Sequence, residues 1–138
     1  MNTINPYIGF NGKCREAMIF YQQCFGGDLE LREVAGSPME QSWQGDKDQI
    51  FHSALTISGN PFIMGSDMRD QNGYIKGNNI TLAIGCSSED NIRNLFEDLS
   101  KNGKVLKPLK EASWGGLFGS IEDQFGITWF LNYENDNS

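Results

Sequence analysis

The chain of 138 residues contains one histidine, His52. An imidazole has a reference pKa of about 6.5, which suits proton transfer at neutral pH, and it is also the commonest metal ligand. A lone imidazole makes most metal and general-base constellations hard to assemble. His52 is the candidate hydrogen-bond donor or general base; the plainer alternative is a histidine satisfied by a backbone carbonyl. Asp67 and Glu122, both expected at strand ends, are candidates to orient His52 or to hold a substrate amine. Carboxylates in such places more often face solvent or form turns. Trp114, Trp43 and Phe130 are candidates to line a cleft that clamps a flat or apolar ligand, because aromatic rings supply contact area at low conformational cost. Trp43 stands beside Gln41, Ser42 and Gln44 in a long loop, where a lid, a dimer contact and a disordered segment are all open readings.

The three cysteines, Cys14, Cys24 and Cys86, are odd in number and lack C-x-x-C spacing, so they indicate neither a disulfide framework nor a zinc knuckle. Cys14 and Cys24 fall about 15 Å apart along one predicted helix, well past the limit of about 7 Å between disulfide-bonded α-carbons. Packing is the expected role of all three. Cys14, beside Lys13 and Arg15, is the one with a cationic neighbourhood that would activate a thiol.

Positioning these groups requires a core, and 38% apolar residues with 21% charged suffice for one domain spanning 1–138. Eleven Lys and Arg against 18 Asp and Glu give a net charge of −7. That balance argues against a phosphate-driven nucleic-acid binder, and at long range it favours cationic ligands. The opening residues Met1 to Pro6 show no basic and apolar leader, and no run approaches the roughly 18 apolar residues of a membrane span. A soluble cytoplasmic protein is expected.

Cys14, Ala17, Met18, Tyr21 and Phe25 recur at helical spacing before Gly26-Gly27, which predicts a helix over 14–25. Ile92, Leu95, Phe96 and Leu99 predict a second over about 88–102, capped by Ser87 or Ser88 and ended at Gly103. Alternating β-branched and aromatic residues predict strands near 4–10, 28–35, 49–58, 61–66, 79–86, 104–109, 117–122 and 127–133. In 49–58, Phe51, Leu55 and Ile57 share one face and His52, Ala54 and Thr56 the other. Trp129 shares parity with Leu131, which points to the core. Asp123 to Gly126 reads as a hairpin turn, and Lys101, Lys104, Lys107 and Lys110 as solvated charges protecting an edge strand.

The order strand, helix, three strands thus occurs twice. Met18 and Ile92, Tyr21 and Leu95, and Phe25 and Leu99 are each 74 positions apart, so duplication is the simplest explanation. Module one spans about 1–70 and module two about 76–138, joined by the Gly-, Asn- and Asp-rich stretch Met68 to Asn78. The stretch 36–48 forms the long loop of the first module.

Three stretches carry a family resemblance. They are Pro6-Tyr7-Ile8-Gly9-Phe10-Asn11-Gly12 with Glu16-Ala17, Phe20-Tyr21 and Phe25-Gly26-Gly27; His52 to Ile57 with Met64 and Ser66-Asp67; and Ser113-Trp114-Gly115 through Gly119, Asp123, Phe125-Gly126 and Trp129. In these the chain resembles the vicinal oxygen chelate superfamily of glyoxalase I, bleomycin-resistance proteins and extradiol dioxygenases. It is most similar to the PhnB-like branch, also labelled 3-demethylubiquinone-9 3-methyltransferase-like. The resemblance implies an α+β fold of paired βαβββ modules whose curled mixed sheets surround a cleft, and homodimers are common in the superfamily.

The superfamily's metal enzymes place ligands on the first and last strands of each module. Projected here, those positions fall among Asn5, Pro6 and Tyr7, at about Asn79 or Ile80, near Met64 and near Phe130. None offers an imidazole or carboxylate, so no metal is expected there. A replacement site built from His52, Asp67 and Glu122 would need carboxylates or water for the other ligands, and no spacing calls for it. No strand opens into the glycine-rich turn and helix of a nucleotide-type cofactor, so no methyltransferase cofactor is expected either. These expectations describe a metal-free protein that binds a small organic molecule, without nucleic acid or membrane partners. The competing class is a glyoxalase- or dioxygenase-type enzyme with a non-standard site around His52. A third is a protein whose cleft has closed over apolar residues and which serves in protein contact.

Overall fold

The apolar stripe Cys14, Ala17, Met18 and Tyr21 forms the wholly buried face of the first helix, α1 (Cys14–Phe25). In the computed structural model, which describes residues 2–68 and 73–135, α1 follows β1 (Tyr7–Phe10) and precedes β2 (Asp28–Glu33), β3 (Ile50–Ile57) and β4 (Asn60–Asp67). The same order then recurs as β5 (Leu82–Cys86), α2 (Glu89–Leu99), β6 (Lys104–Glu111), β7 (Leu117–Glu122) and β8 (Thr128–Tyr133). The chain divides into two compact units, Met1–Ile75 and Lys76–Ser138. Of the expected link, positions 69–72 lie outside the described residues.

Each unit folds as a four-stranded mixed sheet with one helix, so the architecture is α+β with two βαβββ units. The strand orders are β1-β4-β3-β2 and β5-β8-β7-β6, with β1 parallel to β4, β5 parallel to β8 and the other neighbours antiparallel. In the first unit α1 packs on β2, β3 and β4, closing Phe10, Leu55 and Ile63 into the core. In the second, α2 packs on β5, β7 and β8, and Ile92, Leu95 and Leu99 are buried, as are Leu117, Ile121, Trp129 and Leu131 on the strands. Strand alternation leaves the opposite face of each sheet free of its helix. That face carries the candidate chemistry.

Several boundaries differ from the expectation for local reasons. α2 ends at Leu99, not near 102, because Ser100 caps it and Asn102 already takes the left-handed conformation, at φ 59°. Gly103 has a different duty: a Cβ there would collide with the Glu122 carbonyl oxygen. At the other end, Ser88 Oγ accepts from the Asn91 N–H at 3.0 Å, and Asn91 Oδ1 accepts from the Ser87 N–H at 3.2 Å. β5 starts at Leu82, so Asn79 and Ile80 precede the strand. Among the described residues no helix is long and apolar enough to cross a membrane.

The 36–48 loop contains one short 3-10 turn, Glu40–Ser42. It ends on Trp43, which is buried and donates from Nε1 to Gln49 Oε1 at 2.7 Å. Lys47 Nζ donates to the Trp43 carbonyl at 3.0 Å. The indole thus anchors the loop to its own unit.

Candidate functional site

His52 lies on β3 with the parity of Ala54 and Thr56, opposite to the buried Ser53 and Leu55, and so belongs to the face of the first sheet that α1 does not cover. Its Nδ1 is 3.4 Å from the Tyr7 hydroxyl, and the two rings are 6.0 Å apart between centroids. Arg32 is its cross-strand neighbour on β2, and Arg32 in turn pairs with Glu30. An imidazole, a half-exposed phenol and a guanidinium therefore share one sheet face. Such a set can donate hydrogen bonds to a ligand oxygen or pass a proton through the phenol.

Asp67 is placed elsewhere. It sits on β4 with the parity of the buried Ile63, is 3% exposed, and accepts from the N–H groups of Cys14 and Ile50, each at 2.9 Å. Its two oxygens hold the start of α1 and the start of β3. It is not beside His52 on the open face. Near it, Ser53 Oγ donates to the Gly65 carbonyl at 2.7 Å, which leaves that oxygen to accept from the Cys14 thiol at 3.4 Å. Burial pushes the Cys14 thiol up to about 12, outweighing the lowering by Ser53. The cationic neighbours therefore do not activate it. A thiol reagent such as Ellman's is expected to reach the half-buried Cys24 and Cys86 in the native protein and Cys14 only after unfolding. Rapid titration of all three thiols without denaturant would contradict this placement.

The second sheet brings together more of the candidates. On its open face the register sets Phe118 opposite Asn132, Ser120 opposite Phe130 and Glu122 opposite Thr128. Trp114, 55% exposed, stacks on Phe118 at 5.8 Å and 26°, and Phe118 meets Phe130 at 6.3 Å. The Lys110 ammonium stands 5.4 Å from the Phe118 ring centroid, within cation–π range. Sequence reasoning named Trp114 and Phe130 but missed Phe118, whose strand parity with Ser120 and Glu122 was the available signal. Glu122 closes the row and is bonded by Lys76 Nζ. That hydrogen bond, with the charges of Lys76 and Lys104, holds its carboxyl below the usual carboxylate range despite some burial. Its share of stability is therefore present above the ordinary carboxylate pKa and lost as pH falls through the lowered one. For a pair this exposed that share is small.

Of the positions to which the resemblance assigns metal ligands, Asn79 and Ile80 precede β5, and the β5 residue that stands beside Phe130 is Ala83. Tyr7 pairs with Met64 across β1 and β4. One phenol, one soft thioether, one methyl and one phenyl do not make a site for a divalent ion that selects imidazole and carboxylate. Among the described residues no group of three or more His, Cys, Asp or Glu is placed to hold a metal. A methyl-donor nucleoside fits no better. The β1–α1 junction has its first helical N–H taken by Asp67, and the β5–α2 junction is capped by Ser88 and Asn91 rather than by a glycine-rich turn.

The whole chain has relatives. A family model described as 3-demethylubiquinone-9 3-methyltransferase matches residues 2–132. Protein PA1353 from Pseudomonas aeruginosa, a solved structure, is 33% identical and superposes with a TM-score of 0.83, covering 99% of this chain and 100% of its own. A Bacillus cereus structure described as a putative 3-demethylubiquinone-9 3-methyltransferase, PhnB protein, is 26% identical with a TM-score of 0.77 over 96% and 99% of the two chains. Protein YjdN of Escherichia coli K12 is 26% identical over 94% of this chain and 93% of its own. A glyoxalase/bleomycin resistance protein/dioxygenase family enzyme from Burkholderia phytofirmans shares the fold at 14% identity, with a TM-score of 0.63 over 95% and 97% of the chains. The chain belongs to the 3-demethylubiquinone-9 3-methyltransferase-like, or PhnB-like, family, and shares its fold with glyoxalase/bleomycin resistance/dioxygenase-type proteins.

Proposed function

We propose that this chain is a small-molecule-binding protein that works without a metal. One observation carries the reading: at and beside the strand positions to which the resemblance assigns metal ligands, the paired residues are Tyr7 with Met64 and Ala83 with Phe130, none of them an imidazole or a carboxylate. In place of a hard Lewis acid, the open faces present rings and a few polar groups, the usual makeup of a small-ligand site. The family description names a methyltransferase, but the strand-to-helix junctions do not support a nucleoside cofactor, so the label is not carried over as an activity.

Metal analysis of the purified protein is expected to find no stoichiometric transition metal, and a thermal-shift screen of aromatic and amphipathic compounds is expected to find ligands. A single-site ligand at one hundred times its dissociation constant adds about 2.7 kcal/mol. Stoichiometric metal that disappears in His52→Ala would overturn the reading, as would a screen in which no compound raises the midpoint. The 3.4 Å approach of the Tyr7 hydroxyl to His52 Nδ1 favours a second reading, a glyoxalase- or dioxygenase-type enzyme with His52 as base. It is distinguished by turnover of a bound compound that His52→Gln abolishes without abolishing binding.

A further inference from the structure

Lys104, Lys107 and Lys110 recur at intervals of three on β6, and on a regular strand Lys107 would face away from the other two. The register shows otherwise. Lys104 pairs with Glu122, Lys107 with Ser120 and Lys110 with Phe118, with shifts between Val105 and Lys107 and between Lys107 and Lys110. Three steps along β6 are thus matched to two along β7, twice. The two irregularities bring all three lysines beside the alternate β7 residues that form the open face. Protecting an edge strand requires lysines on it but does not require them to share a face. Bulges that re-aim side chains are a recurrent feature next to binding sites.

We propose that this face binds a flat aromatic molecule carrying an anionic group, with Lys107 and Lys110 meeting the anion and Trp114, Phe118 and Phe130 stacking on the rings. The proposal rests on the small-molecule-binding reading and names the chemical class of the ligand. Lys104 faces Glu122, whose carboxylate balances it. Lys107 and Lys110 take part in none of the ion pairs among the described residues. Lys110 lies over the Phe118 ring, so the cationic and aromatic parts adjoin. Beyond Phe118 in the same row stands Asn132, whose side-chain Oδ1 is buried without a hydrogen-bond partner. Native structures rarely leave such an acceptor unmatched. Next to it, on β5, is Gly85, where a Cβ would meet nothing within 4 Å.

The row Lys110, Phe118, Asn132, Gly85 crosses four strands, a span of about 14 Å at ordinary strand spacing. That suits a molecule of two fused or linked rings with its charge at the β6 end and a hydroxyl or amide N–H at the Asn132 end. The net charge of −7 does not oppose this. Charges more than about 8 Å away are screened at physiological ionic strength, whereas adjacent ammonium groups act directly.

The test uses three probes of one shape, 2-naphthoate, 2-naphthamide and 2-naphthylmethylammonium, titrated calorimetrically into the full chain. Naphthoate is expected to bind about tenfold more tightly than the amide, with the ammonium weakest and the preference shrinking as salt rises. In Lys107→Gln/Lys110→Gln, checked for an unchanged melting temperature, naphthoate is expected to fall to the level of the amide while the amide binds as before. Equal binding of the three probes, or a preference that survives the double substitution, would overturn the charge assignment and leave the binding reading standing. Failure of every probe to bind would overturn both.

Discussion

Asp123→Ala is expected to lower the stability of the protein by about 4 kcal/mol, a fall in melting temperature on the order of 12 °C for a chain of this size. The carboxylate is 3% exposed. Its Oδ1 accepts from the N–H groups of Phe125 at 2.9 Å and Ile127 at 3.1 Å, and its Oδ2 accepts from Trp129 Nε1 at 2.8 Å. Hydrogen bonds to a charged group contribute roughly 1.5–3 kcal/mol each, and they do not add fully when they share one acceptor. Alanine removes all three and leaves the indole N–H of a 2% exposed tryptophan without its acceptor. Asp123→Asn is expected to cost about half as much, because one side of the amide still accepts while its NH₂ confronts an N–H donor. Urea unfolding followed by tryptophan emission gives both values, and in a double-mutant cycle Trp129→Phe is expected to cost less beside Asp123→Asn than alone, because the confronted donor goes with the indole. An alanine variant within about 1 kcal/mol of the parent would mean that this network does not secure the last hairpin.

The second large effect is expected at Asp67, where alanine should cost about 3 kcal/mol. Lys13, the residue at the N-cap of α1, supplies no side-chain hydrogen bond. Asp67 supplies the missing acceptor from 53 positions away, binding the Cys14 N–H with one oxygen and the Ile50 N–H with the other. Its charge also lies at the positive end of the helix dipole. A capping substitution alone typically costs about 1 kcal/mol; the second buried N–H and the loss of the charge account for the rest. The measurement that separates this role from ligand contact is a pair of readings on the same variant. Asp67→Ala is expected to lose melting temperature while the folded fraction binds 2-naphthoate as the parent does. Loss of affinity with an unchanged midpoint would instead make Asp67 a ligand contact.

These two aspartates show what was legible in the chain. The Asp123 turn is a local device: Asp123, Gln124, Phe125 and Gly126 are consecutive, and the turn closes through the Gly126 N–H on the Asp123 carbonyl at 3.0 Å. Asp67 works through residues remote in sequence, so only the folded chain reveals its partners. α1 was readable to the residue because its buried positions keep an unbroken helical period and two glycines stop it. Gly27, at φ +90°, would place a Cβ against the Thr56 carbonyl oxygen, so its identity reports a close approach as well as a stop. The lysine row was illegible for the opposite reason. Strand parity assigns Lys107 to the wrong face unless both irregularities of β6 are known, and no residue pattern on β6 announces them. Trp43 was open among several roles because a loop indole shows no period; its burial depends on Gln49, the residue just before β3.

The placement of β4 and β8 has a consequence in time. In each unit the last strand to be synthesised is not added at the rim but inserted between the first strand and the third. Tyr7 emerges from the ribosome well before Met64, the residue it will pair with. Until then β1 has no neighbour, and the apolar stripe of α1 lacks part of the sheet that covers it. Bringing such distant segments together carries the largest loop-closure entropy in the unit, while β3 and β4 meet across a short turn at Ser58 and Gly59. A fragment that stops short of its fourth strand therefore cannot seat its first. The smallest piece of this chain able to complete a sheet is a whole βαβββ unit.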